Sequence, residues 1–255
     1  MRWVSAFEYW LTGYRKIWHA TVASSFIAPL LYLGSLGYGL GHLVDGAGTN
    51  RIGGVSYVAF VAPGILAATA MQTAIGESTY SVLGAIKWQR QYHAQLASPL
   101  TTTDVLAGHL AFIAFRVALG AASFLVIGGV LRAFGSGWVL LAFPVAVLTG
   151  VAHAAPIMAY SVRQDSDQGF TMLYRFGVVP VFLFAGTFFP VDQLPWVLQA
   201  LAHLTPLWHG TMLCRDLSLG SAQLLPSFGH LAYLLVWALG GAALAVHSYR
   251  SRLAP

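Results

Sequence analysis

Long, nearly continuous apolar stretches alternate with short polar ones along this chain. Six of them predict helices that cross a bilayer, near 21–43, 56–86, 105–133, 137–162, 170–188 and 228–247. A hydrocarbon core of about 30 Å needs roughly 20 apolar residues in helical form, and each stretch approaches or exceeds that length. The second and third exceed it and are expected to tilt or to extend beyond the membrane. The first twenty residues follow another rule. Trp3, Phe7, Trp10, Tyr14 and Ile17 recur at spacings of four, three, four and three, which draws one face of a helix. Arg2, Glu8, Arg15 and Lys16 fall largely elsewhere and break any signal-peptide core. This pattern suits a helix lying in the headgroup plane, with Trp3, Phe7, Trp10 and Tyr14 on its apolar face. The expected architecture is all-α and integral to the membrane: an interfacial helix over residues 1–20, then one six-span domain over 21–255.

One apolar segment breaks the pattern. Ala185 to Gly210 reads AGTFFPVDQLPWVLQALAHLTPLWHG, with a sharp stop at Phe188-Phe189-Pro190. Asp192 as a side-chain cap and Pro195 at the first helical position predict a new helix. It runs from about Pro195 through Trp196 to His203, where Thr205-Pro206 interrupts it. At 1.5 Å per residue such a helix is roughly 14 Å long, too short to cross. Residues 189–212 are therefore expected to dip in and return, or to lie at the interface, and irregular backbone at that depth normally has protein or a water-filled path beside it.

Composition sharpens this picture. Hydrophobic residues make up 57% of the chain and charged residues 8%, against about 25% charged in soluble domains. The 13 basic residues outnumber the 8 acidic ones but are scattered, which argues against nucleic acid as a partner. Their placement follows the spans instead. With the N-terminus inside, cytoplasmic segments hold nine of them and outer segments only Arg51, Arg132 and Arg215, so both termini are expected in the cytoplasm. Glu77 and Arg116 fall within spans two and three, each about 15 Å above the inner boundary on antiparallel helices, and are expected to form an intramembrane ion pair. His203 and His209 lack further ligands at zinc spacing, so no metal site is expected. No catalytic motif appears: there is no G-x-S-x-G, no H-E-x-x-H and no phosphate-cradling G-x-x-x-x-G-K-[ST].

Between spans two and three runs Lys87-Trp88-Gln89-Arg90-Gln91-Tyr92-His93-Ala94-Gln95-Leu96, followed by the break Ser98-Pro99, Leu100 and threonines that can cap the next span. Its aromatic and amide side chains suggest a docking surface. The N-terminal helix, the LASPLTTTDVLAGH loop and the FAGTFFPVDQLPWVLQALAHLTPLWHG segment together resemble the ABC-2 family of exporter permeases, over essentially the whole chain. The family tends to carry acidic residues ahead of the Ser/Thr-Pro-Leu, where this chain has Gln91, His93 and Gln95. The resemblance implies a six-span subunit in the bacterial inner membrane that pairs with a second permease subunit. Each would dock a separate ATPase through Trp88, Arg90, Gln91, Tyr92, His93, Gln95, Leu96, Ser98, Pro99 and Leu100, within a coupling loop at 88–104. Phe188, Phe189, Pro190, Asp192, Pro195, Trp196 and Pro206 would shape the outer end of the path. ATP and Mg would bind the ATPase partner and no cofactor this chain, which is not an enzyme by itself. The cargo would be an amphiphile: a lipid-linked saccharide, a glycolipid or an apolar drug. A passive channel or a scaffold without ATPase coupling is the alternative.

Overall fold

A computed structural model describes residues 2–41 and 54–253, without the side chains of Ala20, Ser24, Gly37 and Tyr38. Arg51 and the last residues of the first expected span lie outside the described residues. Within them the chain is helical, with no strand. The first helix, α1 (Arg2–Tyr14), is followed by α2 (Trp18–Tyr32), which continues into a π-helical stretch at Leu33–Leu40. Next come α3 (Tyr57–Lys87), the short α4 (Gln91–Leu96) and α5 (Thr102–Val130). A 3-10 turn at Gly137–Leu141 leads into α6 (Ala142–Ser161). The remaining elements are α7 (Gln168–Met172), α8 (Val179–Phe184), α9 (Trp196–His203), α10 (Pro206–Leu219) and α11 (Leu224–Leu253).

Local chemistry starts these helices. Ser56 accepts from the Ala59 amide at 3.4 Å at the head of α3. Thr101 and Asp104 close a capping box at the head of α5, where the Thr101 amide donates to Asp104 at 3.0 Å and the Asp104 amide to Thr101 at 3.2 Å. Thr205 caps α10 through the Trp208 amide, and Pro206 occupies the first turn, where no donor is missed.

Among the described residues, four helices are long and apolar enough to cross a membrane: Tyr57–Lys87, Thr102–Val130, Gly137–Ser161 and Leu224–Leu253. The first and fifth expected spans are shorter, with apolar helices of 10–17 residues at Thr21–Leu36 and Gln168–Phe184. A π-helical turn at Leu173–Val178 interrupts the fifth just before Pro180. Pro180 brings no N–H to the preceding turn, and a widened turn is one way for the backbone to accommodate that loss. Four of the six expected spans thus match helices long enough to cross, and the first and fifth fall short of that length among the described residues.

α3 is the central element. Its buried face runs from Tyr57 to Ile86, with α5, α6 and α10 packed around it and α11 covering α6. The aromatic face of α1, expected to meet lipid headgroups, packs in large part on α5. Trp10 stacks on His109 with centroids 3.8 Å apart, Phe7 meets Phe115 edge-on at 6.3 Å, and Tyr14 is buried. Gly108 permits this approach, since a Cβ there would stand 2.5 Å from the Ala6 Cβ and 2.8 Å from the Phe7 amide nitrogen. α1, α4 and the C-terminal turns of α11 gather at one end of the bundle; α9 and α10 lie at the other.

Candidate functional site

The end that carries α4 is organised around one buried hydroxyl. Tyr92 is fully buried; its Oη lies 2.5 Å from Nδ1 of His109 on α5 and 3.0 Å from Oη of Tyr249 on α11. Burial, reinforced by Tyr249, holds the Tyr92 pKa well above its ordinary value, so the phenol stays protonated. Two helices and the loop thus meet at one hydrogen-bonded cluster, over which Trp10 of α1 stacks. The ten loop residues expected to dock a partner are divided by this arrangement. Trp88, Arg90, His93, Ser98 and Pro99 are exposed, Gln91, Leu96 and Leu100 are half-buried, and Tyr92 and Gln95 are buried. Tyr92 and Gln95 thus face inward rather than toward a partner, and Tyr92 anchors the loop through its two hydrogen bonds. Arg90 starts α4 from the left-handed region (φ 51°), a conformation that costs a non-glycine residue about 1 kcal/mol or more.

Beside this surface, Asp165 receives Lys87 at 2.8 Å and Arg252 at 2.5 Å. Those hydrogen bonds hold its carboxyl below the usual range. The contact joins the end of α3, the α6–α7 connection and the end of α11. Arg2 adds a hydrogen bond to the Pro99 carbonyl at 3.3 Å.

Glu77 and Arg116 lie deeper in the bundle. Oε1 of Glu77 accepts from both Nε and Nη2 of Arg116 at 3.0 Å, and its Oε2 accepts from Ser81 at 3.4 Å. The guanidinium also sits 4.9 Å from the centre of the Tyr14 ring.

At the opposite end, α9 begins at Trp196 with Pro195 in the capping position and no side-chain cap. Asp192 does not cap it, because the residue is taken up in a 3-10 turn at Val191–Gln193. Gln199 holds the entry instead, donating to the carbonyls of Leu194 at 2.8 Å and Asp192 at 3.1 Å. Phe188, Phe189 and Pro190 are half-buried, and Phe188 meets Phe182 edge-on at 5.1 Å. Asp192, Pro195 and Trp196 are exposed, whereas Pro206 is buried. His209 donates from Nε2 to the His203 carbonyl at 3.0 Å; its Nδ1 therefore accepts, and His230 is the donor across 2.8 Å.

Arg215 ties this end together, a role its sequence context did not reveal. Its Nε donates to the Phe60 carbonyl at 3.0 Å, its Nη2 to the Gly186 carbonyl at 2.7 Å, and the guanidinium lies 3.8 Å from the centre of the Phe60 ring. The start of α3 and the turn after α8 are thereby clamped to α10. Gly186 itself needs its freedom, with φ at 79° and Val191 close by. One signal was present: Leu207, Thr211, Cys214 and Ser218 mark the buried stripe of α10, and Arg215 falls beside it.

Comparison with known proteins agrees with an assembly of this kind. A family model described as ABC-2 type transporter matches residues 5–217. Nodulation protein J of Rhizobium leguminosarum bv. trifolii is 35% identical over 223 residues, covering 86% of this chain and 82% of that protein. Nodulation protein J of Rhizobium meliloti is 31% identical over 256 residues, 99% of this chain and 94% of that one. The inner membrane transport permease YadH of Escherichia coli K12 is 26% identical over 259 residues, covering 93% and 94% of the two chains. No solved structure matches. Members of the matched family are membrane subunits of transporters, not catalysts themselves, and normally work with an ATPase subunit. With that match over most of its length and apolar helices to cross the bilayer, the chain belongs to the ABC-2 type transporter family.

Proposed function

We propose that this chain is the membrane subunit of an ATP-driven exporter, which moves an amphiphile out across the bacterial inner membrane by alternating access. Two permease subunits, identical or not, form the path, and each docks a separate ATPase that binds ATP and Mg. Both termini face the cytoplasm, together with the docking surface. The observation that carries this reading is the construction of α4. Trp88, Arg90, His93, Ser98 and Pro99 are offered outward, while Tyr92 binds the same loop to α5 and α11 behind them. Force applied to such a surface moves spans rather than a slack loop. The interfacial segment 1–20, resting on α5, moves with it, and the 189–212 segment shapes the exit. The name of one relative, an inner membrane transport permease, agrees with a transport role at that membrane. Expression with candidate ATPase subunits in lipid nanodiscs tests the reading. An ATPase co-purifies with the wild type, and Trp88→Ala with His93→Ala releases it or uncouples its hydrolysis. A chain that purifies alone with every candidate ATPase sinks the proposal in favour of a passive channel or scaffold.

A further inference from the structure

The geometry points to a binding site inside a single subunit for the anionic headgroup of an amphiphile, where two cavities meet at Arg116. The larger cavity, about 700 Å³, lies between α1, α3, the segment that follows α3, and α5. Tyr9, Trp10, Tyr80 and Trp88 supply aromatic walls, and Ser81 and Gln89 polar ones. Tyr9, Tyr80 and Trp88 are exposed, so the cavity has an open rim. The smaller cavity, about 310 Å³, lies between α2, α3 and α5, and Ser25, Thr69, Gln72 and Thr73 make its wall polar. Arg116 lines both and stands at the partition.

Charge selects the ligand. The charged side chains that line the two cavities are Lys16, Glu77 and Arg116, which leaves one positive charge uncompensated. Glu77 does not use up its partner. A single carboxylate oxygen takes both the Nε and Nη2 contacts of Arg116, and the buried Nη1 has no hydrogen-bond partner among the described residues. A guanidinium offers five N–H donors in a fixed fork that fits carboxylate or phosphate oxygens, so an anionic headgroup completes what Glu77 leaves open. A neutral headgroup gains no charge-assisted bond there, and a cationic one meets Lys16 and Arg116. The aromatic walls accommodate the apolar part of the ligand, which gives preference to an amphiphile over a free anion. Glu77 then acts as an internal competitor that keeps Arg116 paired when the site is empty.

As cargo, this ligand deepens the exporter reading, but its binding needs no ATPase. The test is calorimetric titration of the purified chain, in maltoside micelles, with three probes: dihexanoyl phosphatidic acid, dihexanoyl phosphatidylcholine and inorganic phosphate. Phosphatidic acid is expected to bind at least about tenfold more tightly than either of the others, as one charge-assisted contact would give. Arg116→Gln is expected to abolish that preference, and Glu77→Gln, by releasing the guanidinium, to strengthen phosphatidic acid binding several-fold. Misfolding does not tighten binding, so the Glu77→Gln result stands even where Arg116→Gln fails to fold. Equal affinity for the two lipids, or Glu77→Gln binding that is unchanged or weaker, overturns the site. Inorganic phosphate that binds as tightly as phosphatidic acid overturns the amphiphile in favour of a free anion. Failure here leaves the ATPase co-purification result untouched, and failure there leaves this titration untouched.

Discussion

Replacement of Tyr92 by Phe removes one oxygen atom and keeps the ring that packs against Trp10 and Tyr249. The oxygen holds two contacts in a fully buried place, at 2.5 Å to His109 and 3.0 Å to Tyr249. Each hydrogen bond contributes about 0.5–1.5 kcal/mol net, and a buried partner left unpaired costs about 1–3 kcal/mol. Nε2 of His109 already lacks a partner among the described residues, so that imidazole would keep no hydrogen bond to any of them. Rotation of the Tyr249 hydroxyl recovers part of the loss, and the expected destabilisation is about 2–4 kcal/mol. Unfolding by sodium dodecyl sulfate in mixed micelles, followed by far-UV circular dichroism, reads this directly. The double variant Tyr92→Phe, Tyr249→Phe should cost less than the sum of the singles by about 0.5 kcal/mol or more, since the two hydroxyls share one bond. Hydrogen exchange over residues 91–96 should rise in Tyr92→Phe because α4 loses its anchor. A single-variant cost under about 0.5 kcal/mol, with exchange unchanged, would refute the view that this hydroxyl holds the loop to the spans.

Other outcomes follow from the same geometry. Arg215→Met leaves the Phe60 and Gly186 carbonyls without their donor, and should destabilise the chain by about 2–4 kcal/mol in the same assay; full rescue by Arg215→Lys, which lacks the fork, would contradict the clamp. Gly108→Val drives a side chain into Ala6 and Phe7 and should lift α1 from α5 at a cost of about 1–3 kcal/mol, read as faster tryptic cleavage at Arg15 and Lys16. Gly108→Ala should show the same effect more weakly. The Asp165 carboxyl is held below its ordinary range, so its contribution to the folded state is complete above the unfolded carboxylate pKa and is lost as pH falls through the lower folded value. Hydrogen exchange at the end of α11 should therefore increase on acidification in the wild type, and Asp165→Asn should show that faster exchange at neutral pH with no further acid response from this contact.

Much of the helical framework is local in origin and was therefore legible in the chain. The expected 56–86, 105–133 and 137–162 stretches lie within a few residues of helices at Tyr57–Lys87, Thr102–Val130 and Gly137–Ser161. Run length and the caps at Ser56 and Thr101 suffice, because a backbone in an apolar medium satisfies its own polar groups as a helix. The break at Phe188-Phe189-Pro190 and the short helix to His203 were readable for the same reason, since a proline and a helix length act within a few residues. The cap on that helix was not: Asp192 is drawn into a 3-10 turn, and the side-chain amide of Gln199 binds the Asp192 and Leu194 carbonyls at the entry instead.

The candidate sites divide in the same way. Depth along two antiparallel helices follows from residue counting, which set Glu77 and Arg116 level; the 3.0 Å contact and the spare Nη1 depend on helix rotation and packing. An exposed loop and a buried one have the same composition, so Tyr92 and His93 are alike in sequence. Only α5 and α11, packed behind α4, turn one inward and leave the other outside. In sequence Arg215 is one outer basic residue among three, and its two carbonyl partners lie 155 and 29 residues away along the chain. Sequence by itself determined helices, breaks and approximate depth, because these arise from short-range hydrogen bonding and transfer out of water. Tertiary structure decided which polar groups meet, because that depends on the rotation of each helix about its axis against neighbours far away in the chain.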